Sequence, residues 1–117
     1  MTSPQQLDLL ATDQRTAGYG WLGTVGDFLS LSPETWLDST VAQHQRLYHR
    51  PPTQTQRQTW QDTAAVLSEA LGHPHQRSWV LIFEYELPRE GGRRPDVLLL
   101  AGEQIWVMEF ILWTVEE

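Results

Sequence analysis

The residues best equipped for chemistry lie in the last third of the chain. Asp96 follows a proline and opens an apolar run, Glu109 interrupts a second such run, and Glu84 and Glu86 sit in a third. Carboxylates that converge from neighbouring strands repel one another unless a divalent cation or an arginine stands between them. All-oxygen ligation of this kind suits Mg²⁺ or Mn²⁺. A cation so held activates water and stabilises charge on a phosphate, which is the physical basis of metal-dependent phosphodiester cleavage. The plain alternative is a carboxylate paired with Arg77, Arg93 or Arg94, because structural ion pairs also gather charged groups.

Other motifs carry less. Arg89, Arg93 and Arg94 read either as phosphate contacts or as a solvated hairpin tip, three charges being a small footprint for nucleic acid. His73-Pro74-His75 has the look of a metal pair, yet it follows a helix stop with no third ligand nearby in sequence, so a turn is expected. Gly18-Tyr19-Gly20-Trp21-Leu22-Gly23 has the GxGxxG spacing, but no buried strand precedes it and Gly26 follows too soon for a helix. It is read as a glycine turn packing Tyr19 and Trp21, and no nucleotide site is expected. The absence of Cys removes zinc ribbons and thiol nucleophiles together.

Composition narrows the setting. The 117 residues suit one domain, and we place it at 18–117 behind a flexible N-terminal arm, 1–17. A net charge of −7 opposes holding nucleic acid by bulk electrostatics, while a local arginine cluster remains able to do so. No apolar run approaches the roughly 20 residues of a membrane span, and the N-terminus lacks a basic region followed by an apolar stretch, so a cytoplasmic protein is expected.

The elements that must position the carboxylates follow from periodicity. Ser32, Pro33 and Glu34 form a helix start, and Trp36, Leu37, Val41, His44, Leu47 and Tyr48 continue as a helical stripe to about 49, where Pro51-Pro52 stops it. Thr53 with Gln56 as its capping-box partner opens a second helix, about 53–71, carrying Trp60, Ala64, Leu67 and Leu71. From Arg77 the period changes to two, and strands are predicted at 78–87, 95–101 and 104–114, an antiparallel meander. Ala101-Gly102-Glu103-Gln104 fits a two-residue hairpin with Gly first. Alternation groups Val80, Ile82, Glu84 and Glu86 on one face of the first strand. On the third it groups Trp106, Met108, Phe110 and Leu112 toward the helices, and Ile105, Val107, Glu109, Ile111 and Trp113 away from them. Trp36, Trp60, Trp79 and Trp106 are assigned to the core.

Arg94-Pro95-Asp96-Val97-Leu98-Leu99-Leu100, a hairpin, and Val107-Met108-Glu109-Phe110 together resemble the PD-(D/E)xK nuclease superfamily. The stretch from Phe83 to Phe110 is more specifically similar to the nuclease-like region at the N-terminus of bacterial proteins that continue into a Schlafen-type DNA/RNA helicase domain. With the helical hairpin ahead of it, the resemblance covers roughly residues 18 to 110. It implies an α/β (α+β) fold with an incomplete restriction-endonuclease-like core. It also implies metal ligation by Asp96 and Glu109, with Glu86, or less readily Glu69, as the assisting acid. The lysine that follows the Glu by two positions in that superfamily is Ile111 here. Metal binding is therefore expected to survive where cleavage does not.

The resemblance further implies a helix and a strand after position 111, where this sequence has six more residues. The expectation is a truncated, inactive nuclease-like domain of a helicase-associated, nucleic-acid-processing protein. The alternative, from another class, is a non-enzymatic module whose exposed strand 104–114 pairs with a second copy or with a partner chain.

Overall fold

The structure is a computed structural model, and it describes residues 18–87 and 94–110. The chain forms β1 (Trp21–Thr24), α1 (Val25–Ser30), α2 (Pro33–Tyr48) and α3 (Gln54–Ala70), then a 3-10 turn at Pro74–Gln76 and the strands β2 (Val80–Phe83), β3 (Val97–Ala101) and β4 (Gln104–Met108). The strands make one antiparallel sheet in the order β1-β2-β3-β4. The fold is α+β, with four strands among the described residues where three were expected. None of these helices is long and apolar enough to cross a membrane.

Local capping chemistry sets the helices. Ser32 Oγ accepts the Thr35 N–H at 3.1 Å with Pro33 in the first turn, and His49 closes α2 in the left-handed region at φ 58°. Thr53 and Gln56 form the reciprocal capping box, with Gln56 N–H to Thr53 Oγ1 at 3.1 Å and Thr53 N–H to Gln56 Oε1 at 2.9 Å. The hairpin also folds as its residues dictate. Ala101 pairs with Gln104, and Gly102 takes φ 64° in the first central position.

The additional strand, β1, was hidden inside the GxGxxG spacing. Its four residues pair with β2, Trp21 opposite Phe83 through Thr24 opposite Val80. Gly23 belongs there for a packing reason: a Cβ at that position would come within 2.5 Å of the Trp21 ring, which lies across the glycine. The expected glycine turn is thus an edge strand.

Helices cover one face of the sheet, over β1 to β3. Trp21, Phe28, Trp36 and Phe83 form its aromatic centre, with Trp36 and Phe83 ring centroids 4.8 Å apart and Phe28 5.8 Å from both. Leu37, Trp60, Leu67, Leu81, Val97 and Leu99 complete that layer. The opposite face carries Val80, Ile82, Leu98 and Leu100, joined by Tyr85.

Several boundaries and assignments change. The first predicted strand, 78–87, is ordered as β2 over Val80–Phe83 alone, because Glu84 adopts φ 51° and leaves the extended region. The last predicted strand is β4, ending at Met108, while Ile111, Leu112 and Trp113 lie outside the described residues, as do the arm 1–17, Arg89 and Arg93. Trp106 is 54% exposed and not a core residue, because the helices reach only Met108 and Phe110 on that side of β4. The Trp36, Trp60 and Trp79 assignments hold, the last as a partly buried ring against the core. His73-Pro74-His75 is a turn, built as the start of the 3-10 segment.

Phe83 touches Trp21, Phe28 and Trp36 at once. Truncation to Ala at such a site costs about 3–5 kcal/mol, so Phe83→Ala should lose most of the stability measured by urea denaturation. Thr53→Ala, which removes one cap, should cost only about 1 kcal/mol.

Candidate functional site

The last rung of the sheet places Phe83 opposite Val97 and Val97 opposite Met108. One residue beyond that rung, each of the three strands carries an acid: Glu84 after β2, Asp96 before β3 and Glu109 after β4. The sheet therefore delivers all three to one end. Asp96 is the hinge of this end. Its backbone carbonyl accepts the Glu84 N–H at 3.0 Å, and its Oδ2 accepts the Phe110 N–H at 2.6 Å.

The side chains of Glu84 and Asp96 come together. Regular alternation would send Glu84 to the face of Val80 and Ile82. The left-handed backbone at Glu84 breaks that alternation, so Tyr85 joins Val80 and Ile82, and Glu84 turns toward the helices. There Trp60 of α3 donates its Nε1–H to Glu84 Oε2. A small cleft of about 20 Å³ is lined by Glu84, Asp96, Thr59, Trp60 and Thr63. Both threonines project from α3, and Thr63 is buried.

Glu109, in contrast, is exposed and stands outside this cleft. Among the described residues, no group of three His, Cys, Asp or Glu side chains is placed to hold a metal ion. Glu86, expected as the assisting acid, lies on the β1 side. Its backbone N–H bonds the Gly18 carbonyl at 2.8 Å, and its carboxylate is near Gly18. Glu84 takes the place expected for Glu86. Glu69 is exposed in the last turn of α3, nine residues beyond Trp60, or roughly 13 Å along the helix axis.

Burial and the neighbouring Asp96 charge push Glu84 up to about 7 from its ordinary 4.5. Two carboxylates this close favour a proton or a cation between them. The donor set, two carboxylates flanked by hydroxyls, is of the all-oxygen kind that hard divalent cations take.

On the other side of the Trp60–Glu84 bond stand residues that periodicity assigned to a helix stripe. His44 is buried, with its ring 4.8 Å from that of Tyr48 and 5.7 Å from that of Trp60. Burial first, then Arg94 and Arg50, lower its pKa and so favour the neutral imidazole. Arg94 stacks over Tyr48 with Cζ 4.9 Å from the ring centre and donates to the Tyr48 hydroxyl. Of the three arginines singled out in the sequence, Arg94 is exposed and held against Tyr48. Trp60 and His44 carry one available signal in the sequence, a polar atom on an apolar stripe, but nothing in the spacing says which acid they meet.

No protein-family model matches the chain, and neither a curated protein nor a solved structure does.

Because Glu84 is held above its ordinary value, its neutral form favours the fold. That contribution is complete below about pH 4.5 and is lost as pH rises through about 7. In metal-free buffer, Glu84→Gln should therefore match the wild type at pH 4 and exceed it at pH 8. The gain should be about 1–2 kcal/mol after allowance for solvent screening, read from denaturation curves at both pH values.

Proposed function

We infer that the chain is a cytoplasmic, nuclease-like domain of the PD-(D/E)xK type, belonging to a helicase-associated, nucleic-acid-processing protein, and that its carboxylate site binds without cleaving. The observation that carries this reading is the turning of Glu84 against the strand alternation to meet Asp96. A non-glycine residue at positive φ costs about 1–2 kcal/mol, and the direction of the turn brings two acids together.

In this reading Asp96 and Glu84 hold Mg²⁺ or Mn²⁺, and Glu109 is an exposed neighbour on the same rung. When bound, such a cation neutralises the pair and polarises a phosphate oxygen or a water. Thr59 and Thr63 of α3 would line such a site, and Trp60 fixes one oxygen of Glu84. Position 111, where the resembled superfamily has the lysine that positions and polarises the attacking water, is Ile. An isoleucine supplies neither charge nor proton, so the reading is of binding and not of hydrolysis.

Titration calorimetry with Mn²⁺ should give saturable heat for the wild type and none for Asp96→Ala, with Glu84→Gln weakened. Absence of heat from the wild type contradicts the cation site. Mg²⁺-dependent nicking of plasmid DNA by the wild type, lost in Asp96→Ala, contradicts the absence of cleavage.

A second reading is favoured by β4. Ile105, Trp106 and Val107 are 52%, 54% and 56% exposed on the end strand of the described sheet, and no charge falls between Gln104 and Met108. An uncharged apolar edge is a template for strand pairing, and a second copy offers one of the same length. Sedimentation at micromolar concentration should then show a dimer that Val107→Lys converts to a monomer. A wild-type monomer removes this reading.

A further inference from the structure

A larger cleft, which shares no lining residue with that of the carboxylates, lies between the turn joining α1 to α2 and the helix α3. It measures about 150 Å³ and is walled by Phe28, Leu31, Pro33, Trp36, Ala64 and Ala65. The sequence builds it from both sides. Ser32 caps α2 at 3.1 Å with Pro33 in the first turn, and Phe28 meets Trp36 edge-to-face, with centroids 5.8 Å apart and planes at 89°. Opposite them α3 presents two alanines in succession, whose side chains stop at Cβ and leave the space unfilled.

Size and an unmet donor together select a ligand. An apolar space of roughly 150 Å³ accepts a single benzene-sized ring, and aromatic walls favour a ring seated edge-on or offset against them. Trp36 is 2% exposed, and its Nε1–H has no acceptor among the described residues. Buried indole N–H groups ordinarily find a partner, as Trp60 does in Glu84. The indole that lacks one forms part of the cleft wall. No lining side chain among the described residues carries a charge, and the hydroxyl of Ser68 gives its proton to the Ala64 carbonyl at 2.8 Å. A charged ligand would thus be buried without a counter-ion.

We propose that this cleft binds a neutral, single-ring aromatic compound carrying a carbonyl, with its ring against Phe28, Trp36 and the two alanines and its oxygen accepting the Trp36 Nε1–H. Gln61, exposed on the same cleft, offers an amide to a second polar group of the ligand. The site stands or falls apart from the nuclease-like reading, since neither acid of the pair takes part in it.

The test is a titration of the ¹⁵N-labelled full chain with benzamide, followed on the indole N–H signals of its six tryptophans. The Trp36 signal, assigned by its loss in Trp36→Phe, should move downfield and saturate in the millimolar range expected of so small a ligand. That of Trp60, already bonded to Glu84, should stay in place. Benzoate, similar in shape but charged, should bind about 10-fold more weakly. Ala65→Leu, at an exposed helix position, should keep the fold and, by filling the cleft, weaken benzamide about 10-fold. Trp36→Phe should weaken it about 5-fold, the worth of one hydrogen bond, read from the backbone amides of Ala64 and Ser68. An unmoved Trp36 signal overturns the proposal, and so does unchanged benzamide binding in Ala65→Leu. Benzoate binding as tightly as benzamide overturns the choice of a neutral ligand. A Trp36 signal that moves with protein concentration and not with benzamide assigns the cleft to a second copy and overturns the proposal as well.

Discussion

The arrangement of the site depends on one backbone torsion, the left-handed turn at Glu84. Up to Phe83, β2 obeys the two-residue alternation, with Leu81 and Phe83 in the helix-facing core and Val80 and Ile82 on the far face. At φ 51° the alternation inverts. Tyr85 then packs on the far face and Glu84 reaches Trp60 and Asp96. Had β2 continued as an extended strand, the acid would have pointed to the other side of the sheet. The hydrogen bond from Trp60 and the backbone bond from Glu84 to Asp96 are what offset the torsional cost, and a buried aromatic layer around Phe83 holds the strand end in place.

The same turn explains the electrostatics. It moves a carboxylate out of water and next to a second one, two effects that act in the same direction on its proton affinity. Arg94, one step before the proline that precedes Asp96, is drawn instead to Tyr48 of α2. Arg94 and Asp96 thus line different clefts, one on each side of Glu84.

Much of this fold was legible from local chemistry, and the illegible parts share a cause. Ser32 and Thr53 announced their helices within a residue, and Gly102 its hairpin, because caps and tight turns are decided by nearest neighbours. Trp21–Thr24 was read as a turn because its strand character comes from pairing with β2, some 60 residues away in sequence, and because Gly23 serves the Trp21 ring. Asp96 and Glu109 were assigned inside the strands 95–101 and 104–114, whereas each stands one residue beyond the observed ladder, and Glu84 was set on the wrong face, since periodicity has no means of announcing a positive φ at a glutamate. Trp106 looked like core by alternation, and only the lateral extent of the helices shows that it is exposed. Residue types located the acids, whereas tertiary packing decided which of them meet.

In the proposed site Glu84 and Asp96 form a carboxylate pair that exchanges a proton for a cation. The most direct measurement is a ¹³C NMR titration of the side-chain carboxyls, assigned through Glu84→Gln and Asp96→Asn, with and without Mg²⁺. The Glu84 midpoint should lie at about 7 in metal-free buffer and move downward with Mg²⁺ and with Asp96→Asn. A Glu84 carboxyl that titrates at its ordinary value and ignores both Mg²⁺ and the Asp96 substitution would contradict it.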